Sequence, residues 1–556
     1  MYIRVKTSPK TNKQSIQIVE SIRDGKKVSQ KIILHVGQAI SGHEADRLKV
    51  LAAQLLEQMK TIEQTCLFSS NELAEMVFES RANLEHDNDP IEVNLKKLYE
   101  ENRIITGIHD VYGRLYKMIG FDNLLKSCPV SSKVLKDIVL ARIARPSSKK
   151  ASAEILEKDF GISHSLDTIY RMMNFVDQQV IQKMQRITYE QSKSLFGGEI
   201  KIMFYDCTTL YFESFTEDEL RQYGYSKDHK FNQSQVLLTL LVTTDGLPIG
   251  YEVFNGSMFE GHTLTSILEK IRLQYKVNRV ILVADSGLLS NENIRQLTEH
   301  NIEYIVGARL RSLSQKWQDT VLDNRDYLKT QKDEELLRIS DFNYDKNRRL
   351  IASHSSKRAE KDRHDRQKAI DRLVSKLKKS SSVKELISNY GYKKYISVKQ
   401  NSSVEVNQQK IDQDAQWDGL HGVFTNIYNL SSVEILSHYQ GLWQIEESFR
   451  IHKHDLRIRP VFHWSLNRVK AHIAICYMAF SLIRYLQNIL KTNYIKLSPE
   501  VVREQLVHVQ CSILHHNTTN EKFVLPSKPG IHVNQIYKVM GLAYSRVPFR
   551  LIEKKS

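Results

Sequence analysis

The chain has 556 residues, of which 41% are hydrophobic, and its 80 Lys and Arg against 64 Asp and Glu leave a formal charge of +16. Only 10 Pro and 22 Gly are present, so collagen-like and low-complexity classes are excluded, and the apolar fraction argues against disorder. The length predicts about three or four domains. The basic excess favours a polyanionic partner, although a net charge also serves solubility alone.

The five cysteines are scattered along the chain, which predicts neither a disulfide framework nor a thiolate zinc site. The N-terminal residues lack the apolar stretch of a secretory signal, and the longest apolar run, 471–483, is shorter than the roughly 18 residues of a membrane span. We therefore expect a cytoplasmic protein without membrane contact, in which residues 471–483 belong to a buried core helix.

Residues 1–42 are predicted to form a basic β-hairpin region, because apolar and polar residues alternate on both sides of Asp24–Gly25. Eight Lys and Arg against two acids give residues 1–40 a charge of +6. From 43 to 196 apolar residues recur every three to four positions, which predicts a mainly helical region. Within it, residues 160–172 favour a helix, a turn at Gly161 and a second helix. This is either a DNA-binding helix-turn-helix or a helical hairpin that packs its own core.

Residues 197–311 are predicted to form a mixed α/β sheet domain, because apolar runs of strand length alternate with helical stretches. The predicted strands are Ile200–Tyr205, Val236–Val242, Ile249–Phe254, Val280–Ala284 and Tyr304–Val306, and the predicted helices are Thr263–Tyr275 and Asn293–His300.

A polar insertion, 312–416, is expected to interrupt this sheet. Thirteen Lys and Arg against five acids give residues 345–379 a charge of +8. Residues 417–495 are expected to return to the sheet domain, with a strand at Val423–Asn426 and long helices at Ser432–Lys453 and Leu466–Leu490. Residues 496–556 are expected to form a C-terminal region that serves dimerisation.

Two acids of the α/β domain directly follow apolar runs: Asp206 follows 202–205, and Asp285 follows 280–284. We expect each acid where a buried strand ends, and adjacent strands would bring both carboxylates to one edge of the sheet. Taken singly, an acid at a strand end is more typical of a turn or a cap. Carboxylates that share an edge repel each other, and a divalent cation relieves that repulsion.

A third acid, Glu446, lies in the predicted helix Ser432–Lys453. On a continuous helix, Tyr439, Glu446, Arg450 and Lys453 share one face, so an acid would be flanked by a phenol and two cations. The alternative is a solvent-exposed helix held by ion pairs. Apolar residues in the same stretch, among them Trp443, favour a buried adjoining face that holds the acid near the sheet.

These residues match a known motif. Tyr439, Glu446 and Lys453 occupy the Y, E and K positions of Y-x2-R-x3-E-x6-K, and Leu442 occupies the Arg position. In this the chain resembles bacterial insertion-sequence transposases of the DDE type, in the insertion-sequence-four superfamily. Further similarity lies around the two Asp residues and between them, in Tyr205–Thr209, Asp245–Glu252 and Ala284–Ser290.

The resemblance implies an RNase H-like mixed-sheet core, interrupted by the insertion and preceded by the hairpin and the helical region. Asp206, Asp285 and Glu446 would be the catalytic residues and would hold two Mg²⁺ ions, or Mn²⁺ in their place. It also implies double-stranded DNA partners, namely transposon inverted repeats and target DNA, and a homodimer that synapses two ends. Residues 43–196 would bind transposon ends, and the protein would associate with the nucleoid when bound to DNA.

The resemblance further implies that Tyr439 and Lys453 bind phosphates beside the scissile bond. Arg450 is placed by helix geometry to assist them. Leu442 removes one member of this clamp, so another cation would have to replace it.

The basic insertion is the second region expected to contact DNA. Its candidate DNA-binding residues are Arg358, Arg363 and Arg366. Family insertions can also hold a flipped base against an aromatic ring. Trp317 and Trp417 are the candidates for this base stacking. Each Trp has the alternative interpretation of an anchor in a small local core.

The leading hypothesis is therefore a cut-and-paste DNA transposase that cleaves and transfers strands. A catalytically inactive or domesticated DNA-binding protein derived from a transposase is one alternative, which Leu442 favours and the intact acids oppose. A structure-selective nuclease of the same fold is another, and it would cleave without end specificity or strand transfer.

Overall fold

The computed structural model describes most of the chain. The residues described are 2–7, 14–24, 27–39, 45–46, 48–53, 77–78, 80–81, 91–196, 198–213, 216–225, 232–275, 280–288, 290–323, 328–332, 335–377, 394–398 and 404–551. Within them the protein has a mixed α/β fold, as the sequence predicts.

The strands of the described residues are numbered in chain order. They are β1 (Tyr2–Thr7), β2 (Gln14–Asp24), β3 (Lys27–Ala39), β4 (Leu98–Ile105), β5 (Ile202–Tyr211), β6 (Gln235–Val242), β7 (Pro248–Asn255), β8 (Ile281–Ala284), β9 (Glu303–Ala308), β10 (Leu328–Lys332), β11 (Glu335–Asn343), β12 (Arg349–Ser355), β13 (Ile396–Val398), β14 (Val404–Val406), β15 (Leu420–Thr425), β16 (Gln510–His516), β17 (Lys522–Pro526) and β18 (Phe549–Arg550).

The α-helices with defined bounds are numbered in the same way. They are α1 (Arg114–Ile119), α2 (Pro129–Ala144), α3 (Lys149–Phe160), α4 (Leu166–Phe175), α5 (Gln178–Leu195), α6 (Leu264–Glu269), α7 (Asn291–Glu299), α8 (Gln315–Asp323), α9 (Ser356–Leu377), α10 (Gln408–Ala415), α11 (Ser432–Gln440), α12 (Trp443–Arg450), α13 (Leu466–Thr492), α14 (Pro499–Val507) and α15 (Ile531–Val539).

The chain divides into two compact units. The first unit comprises Met1–Phe259, Glu269–Asn278 and Trp443–Ser556, and the second comprises Glu260–Leu268 and Arg279–Leu442. The domain boundaries expected from the sequence remain predictions, because a division into compact units does not test them.

The N-terminal part of the first unit is a three-stranded antiparallel sheet in the order β1–β2–β3. The predicted hairpin is therefore present as β2–β3, although Gly25 of its expected turn lies outside the described residues. Ile16, Ile18, Leu34 and Val36 form the buried face of this sheet, together with Leu48. Leu48 belongs to the helical residues that the sequence predicts after the hairpin, and residues 54–76 of that region also lie outside the description.

The predicted helix, turn and helix over 160–172 are also present. α3 ends at Phe160, Gly161 adopts a left-handed φ of 65°, and the Ser165 hydroxyl caps α4 by accepting from Thr168 N at 3.1 Å. Ile169 and Met172 of α4 are fully buried, and α4 packs against α2 and α13. The pair of helices thus contributes to a local core, as the interpretation as a helical hairpin predicts.

The strands β5, β6 and β7 form an antiparallel meander in the first unit, where the sequence predicts three strands. The expected end of the first strand at Tyr205 is wrong, because β5 continues to Tyr211. Residues 207–210 are buried and pair with β6 as the preceding residues do. Asp206 therefore lies in the middle of a strand and not at its end.

α13 is the central helix of the first unit. By length and composition alone it could cross a membrane, but 89% of its most apolar window is buried inside the protein. This burial is what a core helix shows, and it agrees with the interpretation of residues 471–483. A further antiparallel sheet, β4–β16–β17–β18, joins residues near 100 to the C-terminal region.

The second unit is built on a sheet in which β8 and β9 run parallel and are followed by antiparallel β15, β12, β11 and β10. Residues 328–355 were expected to interrupt the sheet, and instead they extend it. Leu350 and Ile351 are fully buried because β12 pairs with β11 on one side and β15 on the other. The basic residues that follow belong to α9.

The predicted continuous helix Ser432–Lys453 is wrong. α11 ends at Gln440, α12 begins at Trp443, and residues Ile451–Asp455 form a π-helical turn. At the break, Gly441 N donates to His438 O and Leu442 N donates to Tyr439 O, so bonds to the third preceding residue replace the α-helical pattern. Glycine also has a low helix propensity. Tyr439 and Glu446 consequently lie on different helices and in different units.

Candidate active site

Asp206 lies in β5 of the first unit, opposite Leu240 of β6. Its neighbours Tyr205 and Cys207 are buried, whereas Asp206 itself is partly exposed. The carboxylate Oδ1 accepts a hydrogen bond from Cys207 N at 2.7 Å. β5 therefore fixes the position of the Asp206 carboxylate in the sheet and leaves part of this side chain accessible to solvent.

Glu446 lies on α12 of the same unit. Ile445 and Phe449 are buried, Glu446 is exposed, and α12 packs against β5 and β6. The helix that carries the third predicted acid thus rests on the strand that carries the first one. Burial of Ile445 and Phe449 agrees with the sequence prediction, but Trp443, which was expected on the same buried face, is 55% exposed.

A buried arginine, Arg484 of α13, holds α12 in place. Its guanidinium donates to Gln444 Oε1 at 2.7 Å and to Glu447 Oε2 at 2.9 Å on α12, and to the carbonyls of Asp245 and Gly246 at 2.9 and 2.8 Å. Gly246 has a φ of 70°, and a Cβ at this position would lie 1.6 Å from Arg484 Nη2. Sequence reasoning missed Arg484, although a charged residue inside an apolar helical run was the available signal.

Arg450 and Lys453, the two predicted cations of the Glu446 face, have different settings. Arg450 is half-exposed and lies 3.5 Å from Glu447 and 4.0 Å from Asp455. Lys453 lies in the π-helical turn, where the spacing of side chains is wider than in an α-helix. Lys453 and Glu446 therefore do not lie on one face of a continuous α-helix, and this expectation is wrong.

Asp285 lies in the second unit, directly after β8, as the sequence predicts. Its Oδ1 accepts from Ser286 N at 2.6 Å and lies 3.4 Å from the Tyr439 hydroxyl, which donates to it. Tyr439 comes from α11, which packs against β8 and β9. A Cβ at Gly307 of β9 would lie 2.4 Å from the Tyr439 hydroxyl, so only glycine leaves room for this contact.

A cleft of about 930 Å³ opens beside Asp285 and Tyr439 within the second unit. Its cationic lining residues are Arg309, Arg311, Arg358, Arg366, Arg372 and Lys394. Four further acids line it, and several make ion pairs there: Lys394 binds Asp414 at 2.5 Å, and Arg311 lies 3.5 Å from the same carboxylate. The cleft therefore combines an accessible acid with many guanidinium groups.

The three arginines predicted to contact DNA differ in their surroundings. Arg358 lines the Asp285 cleft and lies 3.9 Å from Asp362, a long and weak pairing. Arg366 also lines it, but its guanidinium binds both oxygens of Asp418, with Nη2 at 2.6 Å from Oδ2. Arg363 does not line this cleft but a neighbouring pocket, which Arg366 also lines.

The two tryptophans proposed for base stacking also differ. Trp317 packs against Phe342 and Tyr344, with ring centroids 6.1 and 4.8 Å away, as expected for an anchor of a small core. Trp417 lines the Asp285 cleft. The contacts of Trp317 thus match its alternative interpretation, whereas the position of Trp417 is compatible with stacking.

His421 lies in the same cleft, with its ring 4.9 Å from that of Tyr439. Burial, together with the nearby Arg358 charge and against the opposing charge of Asp285, lowers the pKa of His421 to about 4. The imidazole is therefore neutral at pH 7 and can accept or donate a hydrogen bond inside the cleft. No sequence pattern indicated this residue.

The three predicted acids offer carboxylate oxygens, which are the ligands that Mg²⁺ and Mn²⁺ prefer. Their chemistry therefore fits the expected ions. Within the part of the chain that the structure describes, no group of three or more His, Cys, Asp or Glu side chains is arranged to hold a metal ion.

Comparison with known proteins gives two family matches. The Transposase DDE domain profile matches residues 197–482, and the profile of the IS1634 family transposase, N-terminal domain, matches residues 3–66. No curated protein matches the sequence.

Solved transposase structures show distant similarity. A piggyBac transposase in a cryo-EM synaptic complex with hairpin DNA is 10% identical, with a TM-score of 0.35 over 72% of this chain and 76% of that one. Mos1 transposase is 13% identical in a paired-end complex with the left transposon end and 14% identical in a strand transfer complex. Each Mos1 match has a TM-score of 0.14 and covers 48% of this chain and 77% of the other.

The DDE profile covers more than half of the chain and contains Asp206, Asp285 and Glu446. The N-terminal profile covers the basic hairpin region. The chain therefore belongs to the DDE transposases of bacterial insertion sequences.

Proposed function

We propose that this transposase cuts the ends of its insertion sequence and joins them to new DNA with Asp206, Asp285 and Glu446 as the catalytic residues. The observation that carries the proposal is the DDE family match, which spans all three acids. The strand directions support an RNase H-like core, because such a core combines an antiparallel meander like β5–β7 with parallel strands like β8 and β9.

The three carboxylates would hold two Mg²⁺ ions, or Mn²⁺ in their place. When bound, such ions activate the attacking oxygen and stabilise the leaving oxygen of an in-line displacement at phosphorus. The protein's own contribution is to fix the acids: β5 holds Asp206, Arg484 holds the helix of Glu446, and Tyr439 donates to Asp285. Fixed carboxylates reduce the reorganisation that the reaction requires.

The cationic groups near these acids would bind DNA phosphates. Arg358 is the best placed of the three insertion arginines, because it lines the cleft and is only weakly paired. Tyr439, Arg450 and Lys453 would contact the backbone beside the scissile bond. Trp417 would stack on a base inside the cleft.

At a larger scale, the helical region 43–196 would bind transposon ends, and a homodimer would bring two ends together. The C-terminal region 496–556 would serve dimerisation. The partners would be the terminal inverted repeats and the target DNA, both double-stranded.

Strand cleavage of DNA that carries the element's own end tests the proposal. Asp206→Asn, Asp285→Asn and Glu446→Gln should each lower the cleavage rate in Mg²⁺ by about a hundredfold or more, because bound metal contributes several kcal/mol to this chemistry. End binding measured without divalent metal should persist in all three variants.

Two results would contradict it. Cleavage at the wild-type rate by any of the three variants would remove that acid from the site. Cleavage of unrelated DNA as fast as end DNA, with no joining of products to a target plasmid, would instead identify a structure-selective nuclease.

A further inference from the structure

The loop between α12 and α13, residues 456–465, presents two aromatic rings to solvent; we call it the aromatic loop. Phe462 is 59% exposed and Trp464 is 65% exposed. Between them the chain alternates, since Val461 is buried and His463 is partly buried. Two large exposed rings only two positions apart form an apolar patch that indicates a binding role.

Hydrogen bonds fix the backbone of the aromatic loop to neighbouring elements. Ile458 donates its N–H to His452 O at 2.9 Å and accepts from His472 Nε2 at 3.0 Å. Val461 N donates to Tyr211 O, at the end of β5, at 3.2 Å. The loop is therefore fixed both to the turn that follows the Glu446 helix and to the strand of Asp206.

Cations lie beside the aromatic loop. The Arg221 guanidinium lies 5.5 Å from the Trp464 ring centroid and pairs with Asp218 at 2.7 Å, and Arg459 of the loop lies 5.4 Å from the ring centroid of Tyr211. Between residues 450 and 470 the only acid is Asp455, against the cations Arg450, Lys453, Arg457, Arg459, Arg468 and Lys470. This segment therefore carries a charge of +5, in addition to the charges of the hairpin and the insertion.

We propose that the aromatic loop binds unpaired DNA bases next to the cleavage site, with Phe462 and Trp464 stacking on bases and the surrounding cations holding phosphates. Exposed rings beside cations form the usual platform for unstacked nucleic acid, because every base offers an aromatic face. Six cations against one acid favour a polyanion over an apolar protein partner. The inference rests on the proposed function, which supplies DNA as the polyanion and places the cleavage site at Asp206 and Glu446.

Binding of two DNA probes in EDTA tests this inference. One probe is a fully paired duplex that carries the element's end, and the other has the same sequence with three unpaired bases at the cleavage position. Fluorescence anisotropy at fixed salt should show tighter binding of the wild-type protein to the second probe. Phe462→Ala/Trp464→Ala should weaken that binding by about five- to a hundredfold and leave the paired duplex within about twofold.

Two further variants control the measurement. Trp464→Phe keeps an aromatic face and should retain most of the preference for unpaired bases. Leu273→Ala removes another exposed apolar side chain of the first unit and should change nothing. The unfolding temperature of each variant should match that of the wild type. If the double variant unfolds at a lower temperature, the single variants Trp464→Ser and Trp464→Phe are compared in its place.

Equal weakening on both probes, or no weakening on either, would overturn the inference. So would a change of oligomeric state with unchanged DNA binding, which would identify the rings as a protein interface. Because binding is measured without metal, the result does not depend on the catalytic roles of the three acids. The double variant could lose the preference for unpaired bases while the three acid variants cleave DNA at the wild-type rate. This result would refute the proposed catalytic triad and leave the inference about the aromatic loop standing.

Discussion

At the scale of single residues, the contact between Tyr439 and Asp285 depends on the lack of a side chain at Gly307. Gly307 has an ordinary strand conformation, so its role is spatial and not conformational. A methyl group there would meet the Tyr439 hydroxyl at 2.4 Å and Ser286 N at 3.0 Å. Both atoms hydrogen-bond to the Asp285 carboxylate, so one substitution disturbs both of these bonds.

We predict that Gly307→Ala displaces the Tyr439 side chain and lowers strand cleavage by about tenfold, the loss expected for one hydrogen bond to a charged group. Gly287→Ala is the matched control, because its Cβ would meet its nearest neighbour, Glu260, at an ordinary 3.7 Å. Cleavage rates of both variants at saturating Mg²⁺ provide the measurement. Equal rates for Gly307→Ala and Gly287→Ala would mean that the Tyr439 contact has no part in the reaction.

Sequence patterns located Asp285 better than its surroundings. Asp285 follows its strand as expected, because a short apolar run with a polar residue after it marks where burial ends. The Tyr439 contact joins residues 154 positions apart, and no local periodicity reports such a pairing. The neutral state of His421 likewise depends on burial by distant segments.

At the scale of elements, the break between α11 and α12 shows what a hydrophobic pattern leaves undetermined. The apolar positions on both sides continue at helical spacing, whereas the break is set by the hydrogen bonds at Gly441 and Leu442. α12 is therefore a separate short helix of eight residues. Short isolated helices are marginal, so tertiary contacts such as those of Arg484 must hold it.

We predict that Arg484→Met lowers the free energy of unfolding by about 3–5 kcal/mol, because it removes the closest donor of the partly buried Glu447 carboxylate and a donor of two backbone carbonyls. Arg450→Met is the control, since this half-exposed partner of Glu447 should cost about 1 kcal/mol or less. Urea unfolding of both variants gives the comparison. Similar losses would show that Arg484 does not hold α12 as described.

The strands β11 and β12 were not predicted from the sequence. The segment 312–416 lacks long apolar runs, and it was interpreted as an insertion that interrupts the sheet. β11 and β12 nevertheless join the sheet of the second unit, and the short apolar stretch at Leu350 and Ile351 of β12 is buried there. By contrast, the fully buried strand β6 and the core helix α13 were placed almost to the residue.

At the scale of the whole molecule, buried histidines link stability to pH. His452 is fully buried, its Nδ1 donates to Ser448 O at 2.9 Å, and burial lowers its pKa to about 4. The pKa of His463 is lowered to about 3 for the same reason, with nearby cations adding to the effect. In the unfolded chain such a group titrates near 6.5 and so binds protons at higher pH than the native state does.

We predict that the unfolding free energy falls as pH decreases from about 6.5 to 4, by up to about 1.4 kcal/mol per pH unit for each such histidine. His452→Phe should make this decline shallower, because phenylalanine preserves the packing against Phe480 without a titrating group. The exposed His532→Gln should leave the slope unchanged. Thermal or urea unfolding at several pH values measures it, and a slope unaffected by His452→Phe would contradict the prediction.

The pairing of β4 with β16 has a consequence for synthesis. Leu98–Ile105 leaves the ribosome about 400 residues before Gln510–His516, and at roughly 5–20 residues per second this leaves the edge of β4 without its partner for about 20–80 s. During that interval the nascent chain carries an open strand edge, which invites association with other chains. Newly made transposase should therefore depend on chaperones until its last segment emerges, and truncated products should aggregate.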